Sequence, residues 1–185
     1  MEKKTRLLCV LLALAGVCSI AAQEVQKFDI NVGDFTHLLV VDDVNVEYHC
    51  NADSTGRAVF YAHPDMANQI IFENNKKGKL SISVGTDSVF TDNIPTIVLY
   101  SAFLQSADNQ GDSTLHIRSV APAPQVNFKL IDNGKVIVDN VEATSVNVEI
   151  LTGKGDITVA GKCTSLNIKN TGKGTINTEN LVAKD

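Results

Sequence analysis

Hydrophobic and polar residues alternate through most of the last third of the chain, and the alternating runs recur at a fixed interval. The runs that begin at Val126, Val146 and Leu166 lie 20 residues apart, and each precedes a glycine-marked turn and a second alternating run. Alternation with period two is typical of strands, whose side chains point to opposite faces of a sheet. A repeat near 20 residues is typical of solenoids. The pattern therefore predicts an all-β fold, a parallel β-solenoid with regular rungs of about 20 residues at 126–185.

The repeat also predicts which side chains share a face. Residues 20 apart should lie on neighbouring strands about 4.8 Å apart, so the apolar positions form columns toward the core and the intervening positions form columns toward solvent. The outward columns are Asn127, Asn147 and Asn167, and Lys129, Glu149 and Lys169. These six are the candidate binding residues, because amides and charges on a regular face can hydrogen-bond to a ligand. A simply solvated face is the alternative.

The earlier part of the chain alternates in shorter runs. Residues 28–120 contain several apparent strands and turns but no clear 20-residue repeat, so we expect irregular rungs there. Residues 121–124, with sequence Ala-Pro-Ala-Pro, should form a stiff extended connection between the irregular and regular parts. We therefore predict a single β-helical domain over 23–185.

The first 22 residues have the features of a secretory signal peptide. Basic residues precede an apolar run at 7–17, and small residues follow it. Cys18 raises the alternative of a lipid anchor, although Val17 precedes it where a small residue is preferred. The chain is thus predicted to be exported, without a transmembrane span after cleavage. Cell surface, outer membrane and periplasm all remain open.

The net charge limits the kinds of partner that the chain can bind, and the cysteine content limits the disulfides that it can form. The chain carries a formal net charge of −5, and loss of residues 1–22 would make it −7. An acidic protein lacks the basic patch that nucleic acids require. Cys50 and Cys163 are the two cysteines beyond the signal peptide, and export would permit a disulfide between them. The alternative is a free Cys163 in a column of small residues with Ala143 and Ala183.

Recognisable catalytic or metal-binding motifs are absent from the sequence. His37, His49, His63 and His116 lack metal-ligand spacing. Asp42-Asp43 is interpreted as a turn rather than a calcium site, and the Gly-Lys-Gly triplets at 153–155 and 172–174 as turns rather than phosphate loops. Catalytic residues, metal ligands and cofactors are therefore not predicted.

Several motifs resemble one known family. They are Phe28-x-Ile30-x-Val32 and the segments 78–82, 95–100, 153–161 and 171–176. In order and spacing they resemble the head GIN domain family, described as autotransporter adhesins of Gram-negative bacteria. The resemblance implies an exported, right-handed, single-stranded parallel β-helix, and it carries over no catalytic residues. Such domains usually continue for further glycine-marked copies after the third one. We therefore expect that the sequence is truncated at its C-terminal end, that the chain caps its own last strand, or that this strand pairs with another subunit.

The favoured function is an exported, non-enzymatic, adhesin-like protein of the cell envelope. It would bind a glycan or a surface protein through an outer face. One alternative is a carbohydrate-cleaving β-helix enzyme, which needs a pair of carboxylates where the outward column offers one, Glu149. The other is a structural envelope component. It would form a homo-oligomer through the unpaired strand edge left by the last repeat.

Overall fold

A computed structural model describes residues 24–75, 77–85 and 94–184. The predicted signal peptide and Cys18 lie outside these residues. The strands are β1 Gln26–Asn31, β2 His37–Val40, β3 Val46–Cys50, β4 Arg57–Ala62, β5 Ile70–Asn74, β6 Lys79–Val84, β7 Ile97–Ser101, β8 Ser106–Asn109, β9 Thr114–Ile117, β10 Ala123–Leu130, β11 Lys135–Ile150, β12 Asp156–Asn170, β13 Ile176–Asn177 and β14 Leu181–Ala183, and a short helix, α1, spans Pro64–Ala67.

The strands form one curled sheet, which corrects the predicted architecture. The main path runs β1-β4-β7-β3-β9-β11-β10-β8-β2-β6-β5, and β12 joins it through β11 and carries β13 and β14. Pairs β1–β4, β4–β7 and β5–β6 are antiparallel, whereas the other pairs are parallel. The fold is all-β, as predicted. However, it is a mixed half-barrel sheet, and the prediction of a right-handed parallel β-helix is wrong.

The first half of the chain explains why the observed sheet differs from the predicted β-helix. Gly78, with φ of +74°, lets the chain reverse between β5 and β6, because glycine adopts positive φ without steric cost. The result is a hairpin rather than a rung. In addition, β2 lies between β6 and β8, so strands far apart in sequence become neighbours. The irregular rungs predicted for 28–120 are therefore not present.

The predicted pairing of residues 20 apart is nevertheless observed in the last third. Val126 aligns with Val146, and Val146 with Leu166. Between Val138 and Val141 the register of β11 and β12 shifts by one residue, which marks a bulge. The column pattern thus specifies neighbouring strands and their register correctly. It does not specify how the whole sheet curls.

One apolar cluster fills the inside of the curled sheet and includes residues from almost every strand. At its N-terminal end the Phe60 ring stacks on Phe28, with ring centroids 5.2 Å apart, and lies 6.2 Å from Phe72. These contacts join strands β1 and β4 to β5, at the two ends of the sheet path. The amide of Asn74 strengthens this junction, because it donates to the carbonyl oxygens of Val32 and Asp34 at 2.8 and 2.9 Å.

Candidate functional site

The three predicted asparagines form a hydrogen-bonded row, here called the amide ladder: Asn127, Asn147 and Asn167. Their strands β10, β11 and β12 are parallel and in register, so the side chains are stacked on the solvent side. Asn167 Nδ2 donates to Asn147 Oδ1 at 2.9 Å, and Asn147 Nδ2 donates to Asn127 Oδ1 at 2.7 Å. The structure therefore brings these predicted site residues together as the sequence implied.

Much of the hydrogen-bonding capacity of the ladder is used internally. Asn127 Oδ1 also accepts from Gln125 Nε2 at 2.9 Å, and Asn127 Nδ2 donates to the carbonyl oxygen of Gln105 at 3.2 Å. A carboxamide offers two donors and two acceptor positions. Both acceptor positions of Asn127 are thus occupied. The ladder accordingly fixes the orientation of Asn127.

The three charged candidates lie beside the ladder. Glu149 accepts from Lys169 Nζ at 2.5 Å and lies 3.8 Å from Lys129 Nζ. The hydrogen bond from Lys169, with the nearby charge of Lys129, lowers the pKa of the Glu149 carboxyl. Glu149 therefore offsets one of the two lysine charges, which leaves the three residues with one net positive charge. This row offers a ligand mainly the outer side of its exposed lysine ends.

The structure adds one residue to this charged row, which we call the charge column: Asp108, Lys129, Glu149 and Lys169. Asp108 on β8 aligns with Lys129. Burial raises the pKa of the Asp108 carboxyl, and Lys129 partly opposes that shift. Sequence reasoning missed Asp108, because β8 lacks the 20-residue repeat and its neighbours cannot be identified from periodicity.

Asp108 and Glu149 do not form the carboxylate pair that glycoside cleavage requires. They lie on strands separated by β10, roughly 10 Å apart in the backbone by normal strand spacing. Lys129 occupies the position between them. Retaining glycosidases need carboxyls about 5 Å apart, and inverting ones leave the gap free for water. Lys129 therefore occupies the space that a catalytic water would need between these two carboxylates.

A groove opens where β2, β8 and β10 begin, at one end of the amide ladder. We call it the proline groove; its volume is about 440 Å³. Its lining consists of His37, Phe103, Leu104, Gln105, Ala121, Pro122, Ala123, Pro124, Gln125 and Asn127. Residues 121–124, the predicted extended connection, line the groove together with Asn127, and Ala123 and Pro124 are the first two residues of β10.

The proline groove combines an aromatic ring with polar groups. The Phe103 side chain is 60% exposed, although phenylalanine is normally buried. His37 Nδ1 lies 2.9 Å from Ser106 Oγ, which holds the imidazole at the start of β2. Gln125 donates to Asn127, so its own carbonyl oxygen is left for a ligand. Such a mixture of an apolar surface with a few oriented polar groups is typical of ligand sites.

A second polar cluster lies on β3, β9 and β11, away from the ladder. Arg118 donates to Glu47 at 3.0 Å and to Asp139 at 3.2 Å. His49 lies 2.7 Å from Glu47, and His116 lies 2.9 Å from Asp139. The bonds from Arg118 and His49 lower the pKa of the Glu47 carboxyl. These mutual contacts join the three strands.

The remaining sequence interpretations concern cysteines, metals and membranes. Cys50 and Cys163 are both free thiols; Cys163 is buried beside Ala143 and Ala183, and burial raises its pKa. Among the residues described, no three metal-ligating side chains are close enough to hold an ion. The same residues include no helix of the length and hydropathy that a bilayer crossing requires.

Comparison with known proteins identifies the family. A family profile with the description "Putative auto-transporter adhesin, head GIN domain" matches residues 34–185. The chain belongs to this family. The resemblance inferred from the sequence motifs is thereby confirmed. No curated protein matches the head GIN chain.

Solved structures share the fold of the head GIN chain. A protein from Bacteroides fragilis described as a "putative adhesin" is 18% identical, with a TM-score of 0.53; the match covers 84% of this chain and 97% of that one. A "putative adhesin" from Parabacteroides distasonis is 15% identical, with a TM-score of 0.67, and the match covers 86% and 75%. A "putative lipid binding protein" from the same organism is 14% identical, with a TM-score of 0.62 and coverage of 86% and 76%. At these identities the likeness shows the fold alone.

Proposed function

We propose that this chain is an exported, non-enzymatic, adhesin-like protein of the cell envelope that binds a glycan in the proline groove. The observation that carries the proposal is the exposed Phe103 ring beside the oriented amides of Gln125 and Asn127. An aromatic face packs well on the apolar C–H face of a sugar ring, while amides bond to its hydroxyl groups. Family membership supports the adhesin-like class, and the basic and apolar pattern of residues 1–22 supports export.

The amide ladder has a supporting role in this proposal. Asn127 contacts the glycan at the edge of the groove, and Asn147 and Asn167 hold the Asn127 carboxamide in one orientation through their hydrogen bonds. Correctly oriented groups bind more tightly, because less side-chain entropy is lost on binding. The charge column continues the same surface and contributes its exposed lysine ends.

The groove is tested by Phe103→Ala and Gln125→Ala on a glycan array, with the affinity for each bound glycan then measured by calorimetry. We expect each substitution to weaken binding at least about tenfold, which corresponds to about 1.4 kcal/mol. Tyr61→Ala is the matched control, because Tyr61 is 62% exposed on β4 and does not line the groove.

Three results would contradict the groove assignment. The first is equal affinity of Phe103→Ala and the unaltered protein for every glycan bound. The second is binding to a protein partner with no glycan bound on the array. The third is release of shortened sugars from a bound polysaccharide, because cleavage would favour the enzyme alternative.

The cellular location is tested by protease shaving of intact cells, followed by mass spectrometry for peptides from residues 126–185. We expect such peptides from intact cells, because an adhesin must present its binding face outside the cell. An abundant periplasmic protein serves as the control for membrane integrity. Peptides seen only after the outer membrane is opened would contradict surface exposure and favour a periplasmic role.

A further inference from the structure

Residues 164–170 of β12 form a strand edge with no partner strand among the described residues. Their neighbour on one side is β11, while β13 and β14 pair only with the earlier part of β12. The side chain of Ile168 is 51% exposed, whereas Phe128 and Val148 in the same column are buried. An open edge with apolar side chains readily accepts another strand.

A second open edge lies at β5, at the end of the sheet path. Strand β5 pairs with β6 alone among the described strands, and its Ile71 side chain is 41% exposed. The two edges terminate one continuous series of strands, β5-β6-β2-β8-β10-β11-β12. They therefore face in opposite directions along that series.

The backbone groups of the two edges are complementary. Thr171 N donates to Ile150 O at 2.8 Å, so alternate residues bond to β11 and the N–H and C=O groups of Leu166 and Ile168 face the open side. On β5, Asn75 N donates to Lys79 O at 3.0 Å, so every second residue back from Asn75 bonds to β6. The backbone N–H and C=O groups of Ile70 and Phe72 therefore face the open side.

On both edges these free groups belong to residues on the core side of the sheet. In an antiparallel pair, opposite residues that exchange hydrogen bonds have their side chains on the same face. The two edges can therefore bond to each other while their apolar side chains stay on one side of the sheet.

The charges of the two edges are complementary as well. The charge column is part of a longer row of aligned residues, which continues from Asp108 to Leu39 on β2 and Ser81 on β6. The last residue in this row is Glu73 on β5. A second copy placed at the end of the series would bring its Glu73 next to Lys169.

We propose that copies of this chain assemble head to tail, with residues 72–74 of β5 in one copy pairing antiparallel with residues 168–170 of β12 in the next. The joint is heterologous, because each copy uses a different surface on its two sides. An assembly built from such joints has a free strand edge at each end and can grow without limit, unless it closes into a ring. The main-chain bonds supply the affinity, and Lys169 with Glu73 helps to set the register.

Sedimentation velocity of the full chain over a wide concentration range tests the joint. We expect the weight-average mass to rise past that of a dimer. Lys169→Glu or Glu73→Lys alone should weaken association at least tenfold, because each places like charges together. Mixing the two variants in equal amounts should restore association, because every joint between unlike copies then has opposite charges.

Lys135→Glu is the matched control, because it makes the same charge change at an exposed position on β11 and should leave association unchanged. A monomer at all concentrations, a mass that stops at the dimer, or a mixture that fails to restore association would each overturn the proposal. Glycan binding in the proline groove depends on Phe103 and Gln125, so the two proposals can fail separately.

Discussion

Replacing Phe128 by alanine should lower the free energy of unfolding by about 3–5 kcal/mol. Phe128 is 1% exposed and lies on β10, where it aligns with Ala107 on β8 and Val148 on β11. Removing the ring leaves a cavity, because the hydrogen-bonded strands on both sides hold the backbone apart. Urea denaturation followed by circular dichroism measures the loss.

Phe103→Ala is the control for this experiment, since it removes the same ring from an exposed position. Surface substitutions usually change stability by no more than about 0.5 kcal/mol. The same measurement also shows whether the groove variant used for glycan binding is folded. A loss below about 1 kcal/mol for Phe128→Ala would mean that the sheet can collapse around the missing ring, contrary to the packing described.

Gly161→Ala should destabilise the protein by about 2–4 kcal/mol, through the backbone rather than the core. Gly161 has φ of +133°, and a Cβ there would lie 2.1 Å from the carbonyl oxygen of Val141. Val141 directly follows the bulge in β11, so its strand must move away if a methyl group is added. Thermal and urea unfolding of the variant measure the cost.

The Gly78→Ala variant separates the two causes of this destabilisation, which are the strain of the backbone and the close approach to Val141. Gly78 also has a positive φ, of +74°, but an added Cβ would meet nothing nearer than 3.5 Å. It should therefore cost only the conformational strain, about 1–2 kcal/mol. Equal losses in the two variants would show that the close approach to Val141 has no energetic effect.

The sequence predicts the last third of the sheet well for a physical reason. Side chains in strands alternate with period two, and copies 20 residues apart pair in register, so the Val126, Val146 and Leu166 column can be identified without coordinates. The first half offers no such pattern. His37 pairs with Ser106 across 69 residues, and nothing in the local sequence indicates that partnership. The overall curl depends on those distant pairs, which explains the wrong prediction of a β-helix.

The candidate site also has one part that the repeat predicts and another part that it does not. The amide ladder and three members of the charge column could be predicted, because they belong to the repeat. Asp108 and the proline groove could not, because they depend on β2 and β8 lying beside β10. The exposed Phe103 carries no sequence signal of its own, since a phenylalanine in a loop is usually directed to the core. The groove therefore becomes visible only when the distant strands are in place.

The placement of β2 and β3 in the middle of the sheet also has a consequence for the order of folding. Strands β10, β11 and β12 pair across about 20 residues, whereas β2 and β8 close a loop of 69. Longer loops lose more chain entropy on closure and form more slowly. We therefore expect β10, β11 and β12 to pair before β2 docks beside β8. If the chain is exported N-terminus first, these three strands cross the membrane last, so their pairing should begin only when most of the chain is already across.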